Sequence, residues 1–110
     1  MIEYLINLIG KVIMAREKIF ENKVKKFLEE KGCWVVKFWG TMMTKSGTPD
    51  LLGVCNGRFL GLEIKSETGK PSALQLHNIK KIQDCGGYAR VLYPKDFDDF
   101  KQDIEKIMEE

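Results

Sequence analysis

The sequence is poor in the residues that build the commoner metal and redox sites: its 110 residues hold one histidine and three cysteines. Cys33, Cys55 and Cys85 lie far apart and form no Cys-x-x-Cys pair, which argues against a structural zinc site. An odd number of cysteines without metal spacing reads as reduced, mostly buried thiols in a cytosolic protein. Long apolar runs are missing too. The stretch from Ile2 to Ile13 is too short to span a membrane, contains Glu3, and lacks the basic flank and small-residue cleavage site of a signal peptide. Gly69-Lys70 has no phosphate-loop spacing around it. Internal repeats, linkers and low-complexity segments are absent.

What is present is ordinary in amount, 44% apolar and 31% charged, and fits one domain with a single core. The net charge of +2 hides an asymmetry. Residues 95–110 carry three Lys and seven Asp or Glu, so an acidic tail follows a basic body suited to a polyanion.

The most informative stretch runs from Gly47-Thr48-Pro49-Asp50 to Leu62-Glu63-Ile64-Lys65. Inside it, Asn56-Gly57 separates two apolar runs, the pattern of a β-hairpin with a two-residue type I′ turn. Such a turn sets Cys55 against Arg58 and, counting outward, Asp50 against Glu63. Lys65 falls on the Glu63 face because strand side chains alternate. Directly opposed residues have Cβ atoms roughly 4.5–5.5 Å apart, and two carboxylates that close repel unless a cation or shared proton lies between them. The spacing therefore suits a hard-metal site with an ammonium beside it. An ordinary edge hairpin with solvated acids is the plainer alternative.

Around the hairpin, apolar spacing predicts a helix over 2–14, either docked on its own core or making a dimer contact. A second helix follows over 16–31, with Phe20, Val24, Phe27 and Leu28 inward and Gly32 as its stop. Glu17 and Glu21 sit at the margin of that stripe, where either could point at the sheet or pair with solvent-side lysines. Residues 33–39 form a strand, and the polar loop 40–47 leads with Lys45 to the mouth of the proposed site. Ser72 and Gln75 make a capping box for a helix ending near Cys85, with Ala73, Leu76, Ile79 and Ile82 inward. His77 falls on its polar side. Residues 88–92 give a strand, and the chain ends in an amphipathic helix that buries Phe97, Phe100, Ile104 and Ile107. The strand before Ser72 and the strand after it are joined by a crossover, which makes the sheet mixed.

The Gly-x-Pro-Asp start followed by Glu63-Ile64-Lys65 resembles the PD-(D/E)xK nuclease superfamily. The Gly69-Lys70-Pro71-Ser72 run, Gln75 and Gly86-Gly87 resemble its VRR-Nuc family, of the stand-alone phage and bacterial type, over about residues 17–92. The resemblance implies an α/β, restriction-endonuclease-like core: a mixed β-sheet (α-β-β-β-α-β) flanked by helices, with extra N- and C-terminal helices. It implies one nuclease domain over 1–110, with an apolar helix at 1–14, a catalytic core at 15–93 and an acidic helix at 94–110.

By the same resemblance Asp50 and Glu63 hold Mg²⁺, with Mn²⁺ able to substitute, and Glu21 completes the metal sphere. Lys65 positions or activates water, Gln75 joins the catalytic set, and Lys45 and Lys70 contact DNA phosphates. The implied activity is that of a structure-specific endonuclease resolving four-way (Holliday) junctions, a cytoplasmic homodimer in a bacterium or phage-infected host. A general nickase or restriction-like enzyme, and a non-catalytic DNA-binding module with a vestigial site, are the alternative readings.

Overall fold

A computed structural model of the chain describes residues 1–39 and 47–110. The elements run α1 (Ile2–Glu30), β1 (Trp34–Lys37), β2 (Leu51–Cys55), β3 (Arg58–Ile64), α2 (Ala73–Asp84), β4 (Tyr88–Leu92), a 3₁₀ turn (Pro94–Asp96) and α3 (Phe97–Glu109). The four strands stand in the order β1-β2-β3-β4. Both hairpin-type pairings are antiparallel, and β3 pairs with β4 in parallel, so the sheet is mixed as expected.

The hairpin register is the one the turn dictates. Cys55 pairs with Arg58 and Leu51 with Leu62. Asn56 (φ 49°) and Gly57 (φ 79°) carry the two positive φ values that a type I′ turn demands. The Asn56 side chain adds a second anchor, donating from Nδ2 to the Ile107 carbonyl at 2.9 Å and tying the turn to α3.

Alternation of side chains sorts the sheet into two faces. Val35, Leu51, Leu60, Leu62, Ile64 and Leu92 share one face and pack under Phe20, Val24 and Leu28 of α1 and Phe97, Phe100 and Ile104 of α3. The aromatic rings of this layer meet edge-on, Phe20 and Phe27 each 5.9 Å from Phe97. The opposite face is covered by α2, whose Ile82 lies where a Cβ on Gly61 would meet it at 2.8 Å. At one edge of the core Tyr88 donates to Asp103 Oδ2 at 2.6 Å. Burial first, and then that bond, raise the Tyr88 pKa well above the usual phenol range, so it stays a donor at neutral pH.

Four expectations need correction. The helices over 2–14 and 16–31 are one continuous helix, because Met14-Ala15-Arg16-Glu17 contains no breaker. Its first half is not docked on the chain's own core: the helix outruns the sheet, and Ile2, Leu5, Ile6, Leu8, Ile9, Val12 and Ile13 remain exposed. In α2 only Ile79 is buried, and Leu76 and Ala73 face outward, because one short helix covers a sheet face only where it crosses β3 and β4. Finally, Cys33 and Cys55 are joined in a disulfide and Cys85 is exposed. The β1–β2 register (Trp34 against Val54) places Cys33 opposite Cys55 one pair further out. That neighbourhood is long-range in sequence, so residue spacing does not reveal it.

Replacing Asn56 with Ala should cost about 1–2 kcal/mol, since alanine resists the left-handed backbone and the α3 bond is lost. Urea unfolding measures this. Asn56→Gly, which keeps the turn, should lose less, and equal losses would show that the turn conformation contributes nothing.

Candidate functional site

Asp50 stands at the start of β2, Glu63 near the end of β3, and Lys65 just beyond it. By strand parity Glu63 and Lys65 lie on the α2 face. Both carboxylates are nearly inaccessible, at 5% for Asp50 and 2% for Glu63. Ionised carboxylates are rarely buried unless paired or hydrogen-bonded. Asp50 Oδ2 accepts from the backbone N–H of Ile64 at 3.0 Å, which latches the β2 start to the β3 end. Its own carbonyl accepts from Phe38 N–H at 2.8 Å, so β1 is held at the same point. Lys65 Nζ lies 3.5 Å from Glu63 Oε2. The expected trio of Asp, Glu and Lys is therefore gathered at one end of the sheet.

The loop after Lys65 supports that lysine. A Cβ on Gly69 would stand 3.2 Å from Lys65 Cδ, so the lysine stem lies along this glycine. Tyr93 pins the same residue, its hydroxyl donating to the Gly69 carbonyl at 2.8 Å. Neither Gly69 nor Tyr93 stands out in the sequence as part of the site. The Gly-Lys-Pro-Ser run was the available signal for Gly69, and Tyr93 gave none.

Glu21 is buried as well, at 3%, which distinguishes it from half-buried Glu17 one turn earlier. It reaches the sheet from α1, on the opposite face from Glu63, and forms an ion pair and hydrogen bond with Lys37 of β1. Lys18 Nζ lies 3.8 Å from its Oε2, an atom that is buried and accepts no hydrogen bond among the described residues. Among the described residues, no group of three or more His, Cys, Asp or Glu is close enough to hold one ion. Asp50 and Glu63 fit a hard divalent cation in chemistry and burial, and two carboxylates suffice for an ion that keeps several waters. In this arrangement Glu21 has Lys37 for a partner, and its place in a three-carboxylate set is a matter for the proposal below.

Gln75 completes the capping box: its Oε1 accepts from Ser72 N–H at 2.8 Å while Ser72 Oγ accepts from Gln75 N–H at 3.1 Å. Its side-chain oxygen is thus engaged at the start of α2. Lys70 is exposed in the turn before that helix, and His77 is exposed on its outer side. Lys45 lies outside the described residues.

A family model described as archaeal Holliday junction resolvase (Hjc) matches residues 14–91. No curated protein matches the chain. The VRR-Nuc likeness stays a resemblance.

If Gln75 serves the cap, Gln75→Ala should lower stability by about 0.5–1 kcal/mol while Gln75→Glu, which can also accept, holds it. Thermal unfolding of the two variants checks this. An alanine variant as stable as the parent would release Gln75 for another role.

Proposed function

The chain belongs to the archaeal Holliday junction resolvase family, a PD-(D/E)xK-type nuclease family, and we propose that it is a metal-dependent endonuclease that hydrolyses DNA phosphodiester bonds at four-way junctions. The observation that carries this reading is the buried pair Asp50 and Glu63 with Lys65 at one sheet end. Asp50 and Glu63 would hold Mg²⁺, or Mn²⁺ in its place. When bound there, the cation supplies Lewis-acid polarisation of the phosphate and a more acidic water.

The protein's own part is to orient and to balance charge. Lys65 offers an ammonium to the water or to the phosphate oxygens as negative charge builds in the transition state. Gly69 and Tyr93 keep its stem in place. Glu21 joins the set only by exchanging Lys37 for the cation. Lys70, and Lys45 in the polar loop, contact phosphates, which set affinity rather than sequence. Gln75 enters this reading through α2, which its cap fixes over the site face.

Cutting a four-way junction into two duplexes takes two symmetric incisions and so two sites, most simply from a two-fold dimer. The exposed stripe of α1 is suited to form it. Seven half-exposed aliphatic side chains offer on the order of 700 Å² per chain, close to the ~800 Å² each partner brings to a standard interface. The stripe lies before the family-matched segment.

A labelled four-way junction and a matched linear duplex, each with Mg²⁺ or EDTA, test the enzyme. Paired symmetric cuts on the junction alone are expected, with Asp50→Asn and Glu63→Gln inactive and Lys65→Ala slowed by about 10²-fold or more. Equal cutting of duplex would leave a general nuclease, and no cutting in any metal would leave a binding module. For the dimer, sedimentation should show two chains per particle, with Leu5→Glu/Ile9→Glu giving monomers that keep the parent's circular dichroism. A dimer indifferent to both charges would place the interface elsewhere.

A further inference from the structure

Trp39 is an oddity that the catalytic reading does not use. It lies just past β1 with 76% of its surface in water, although large aromatic side chains are usually well buried. Two ammonium groups stand against its ring, Lys37 Nζ at 5.3 Å and Lys18 Nζ at 5.6 Å from the centroid. The indole therefore sits at the edge of a cavity of about 210 Å³ lined by Met14, Glu17, Lys18, Glu21, Lys37 and Trp39. That volume takes one planar heterocycle.

The chemistry of the lining selects among ligands. An exposed indole flanked by lysines provides a π surface and positive charge, the combination on which unpaired bases stack while their backbone is neutralised. The carboxylates of Glu17 and Glu21 in the same cavity repel a phosphate, and that of half-buried Glu17 can accept from a base N–H, such as the imide of thymine. A base inside and a phosphate outside is the arrangement that suits every group present. The cavity is also close to the candidate centre. Lys37 pairs with Leu51, the residue after Asp50, and Phe38 N–H donates to the Asp50 carbonyl at 2.8 Å.

We propose that Trp39, with Lys18 and Lys37, is a stacking platform for one unpaired nucleobase, and that it lets the protein prefer branched or single-stranded DNA over perfect duplex. Bases at the crossover of a junction can leave the stack at little cost, whereas a duplex base must first be unpaired. This rests on the nuclease reading only in taking DNA as the ligand. The platform deepens that reading by giving a physical source for structure preference at a point the metal-binding carboxylates do not supply.

The test uses the full chain carrying Trp34→Phe, so that Trp39 is the single tryptophan, with EDTA present to prevent cleavage. Intrinsic fluorescence is followed while an oligothymidine of eight nucleotides, a four-way junction and a linear duplex are added. Quenching is expected with the first two and not with the duplex. By electrophoretic mobility shift, Trp39→Ala should weaken binding of the junction and the oligonucleotide by about tenfold. It should leave duplex binding within twofold, and Trp39→Phe should restore most of the loss. A protein that binds the junction without quenching, with Trp39→Ala equal to the parent, overturns the platform and leaves the nuclease reading standing. Equal weakening on duplex and junction overturns the discrimination. No binding to any DNA overturns both readings.

Discussion

Two residues in left-handed backbone, Asn56 and Gly57, fix the register on which the rest of the molecule depends. A one-residue slip of β3 against β2 would turn Glu63 and Lys65 to the other face and expose Leu60, Leu62 and Ile64. Site and core are therefore protected by the same constraint. The apolar residues on one face hold the register against slippage, and that register delivers the acids on the other. The bond from Ile64 N–H to Asp50 Oδ2 closes the far end of the hairpin, so the metal-type carboxylate also serves as a structural clip.

This double use explains which parts were legible in the sequence. The Asn-Gly turn determines a register by counting, and Asp50, Glu63 and Lys65 follow from it without knowledge of any other element. The Ser72 capping box and the 3.6-residue stripe of Phe97, Phe100, Ile104 and Ile107 are equally local, and both stand where spacing put them. What counting cannot supply is a partner distant in sequence. Cys33 meets Cys55 only through the β1–β2 pairing, Tyr93 meets Gly69 only because β4 lies beside β3, and Glu21 meets Lys37 only where α1 crosses the sheet. The break expected near Met14 failed for a different reason. Apolar periodicity shows where a stripe faces, but not whether its helix stops, and nothing in Met14-Ala15-Arg16 stops one.

The long helix divides the molecule's use of apolar surface. Its second half gives Phe20, Val24 and Leu28 to the core, while its first half holds a comparable stripe in water, stretching the molecule to 55 Å in its longest dimension against 28 and 20 Å in the others. A helix of 29 residues is about 43 Å long, so roughly half extends past the sheet. Stripes of that size on one chain are seldom left uncovered. A second copy, as proposed above, would cover the stripe with a surface already on the page and supply the second active centre that a symmetric substrate requires.

The distribution of lysines completes the physical picture. Buried carboxylates at this end of the sheet have ammonium groups in contact: Glu21 has Lys37, and Glu63 has Lys65. Desolvating a carboxylate is costly, and a neighbouring cation offsets that cost without a metal, so the site is stable before any ion arrives. The two lysines are not equivalent, however. Lys65 shares the face of Asp50 and Glu63 and can remain beside them when a divalent ion binds. Lys37 lies on the other face, between Glu21 and the Trp39 ring, 5.3 Å from its centroid. Any rearrangement that frees Glu21 must therefore move Lys37, and the Trp39 cavity with it. Under the two roles proposed above, base stacking at Trp39 and recruitment of Glu21 would be linked through this one ammonium group.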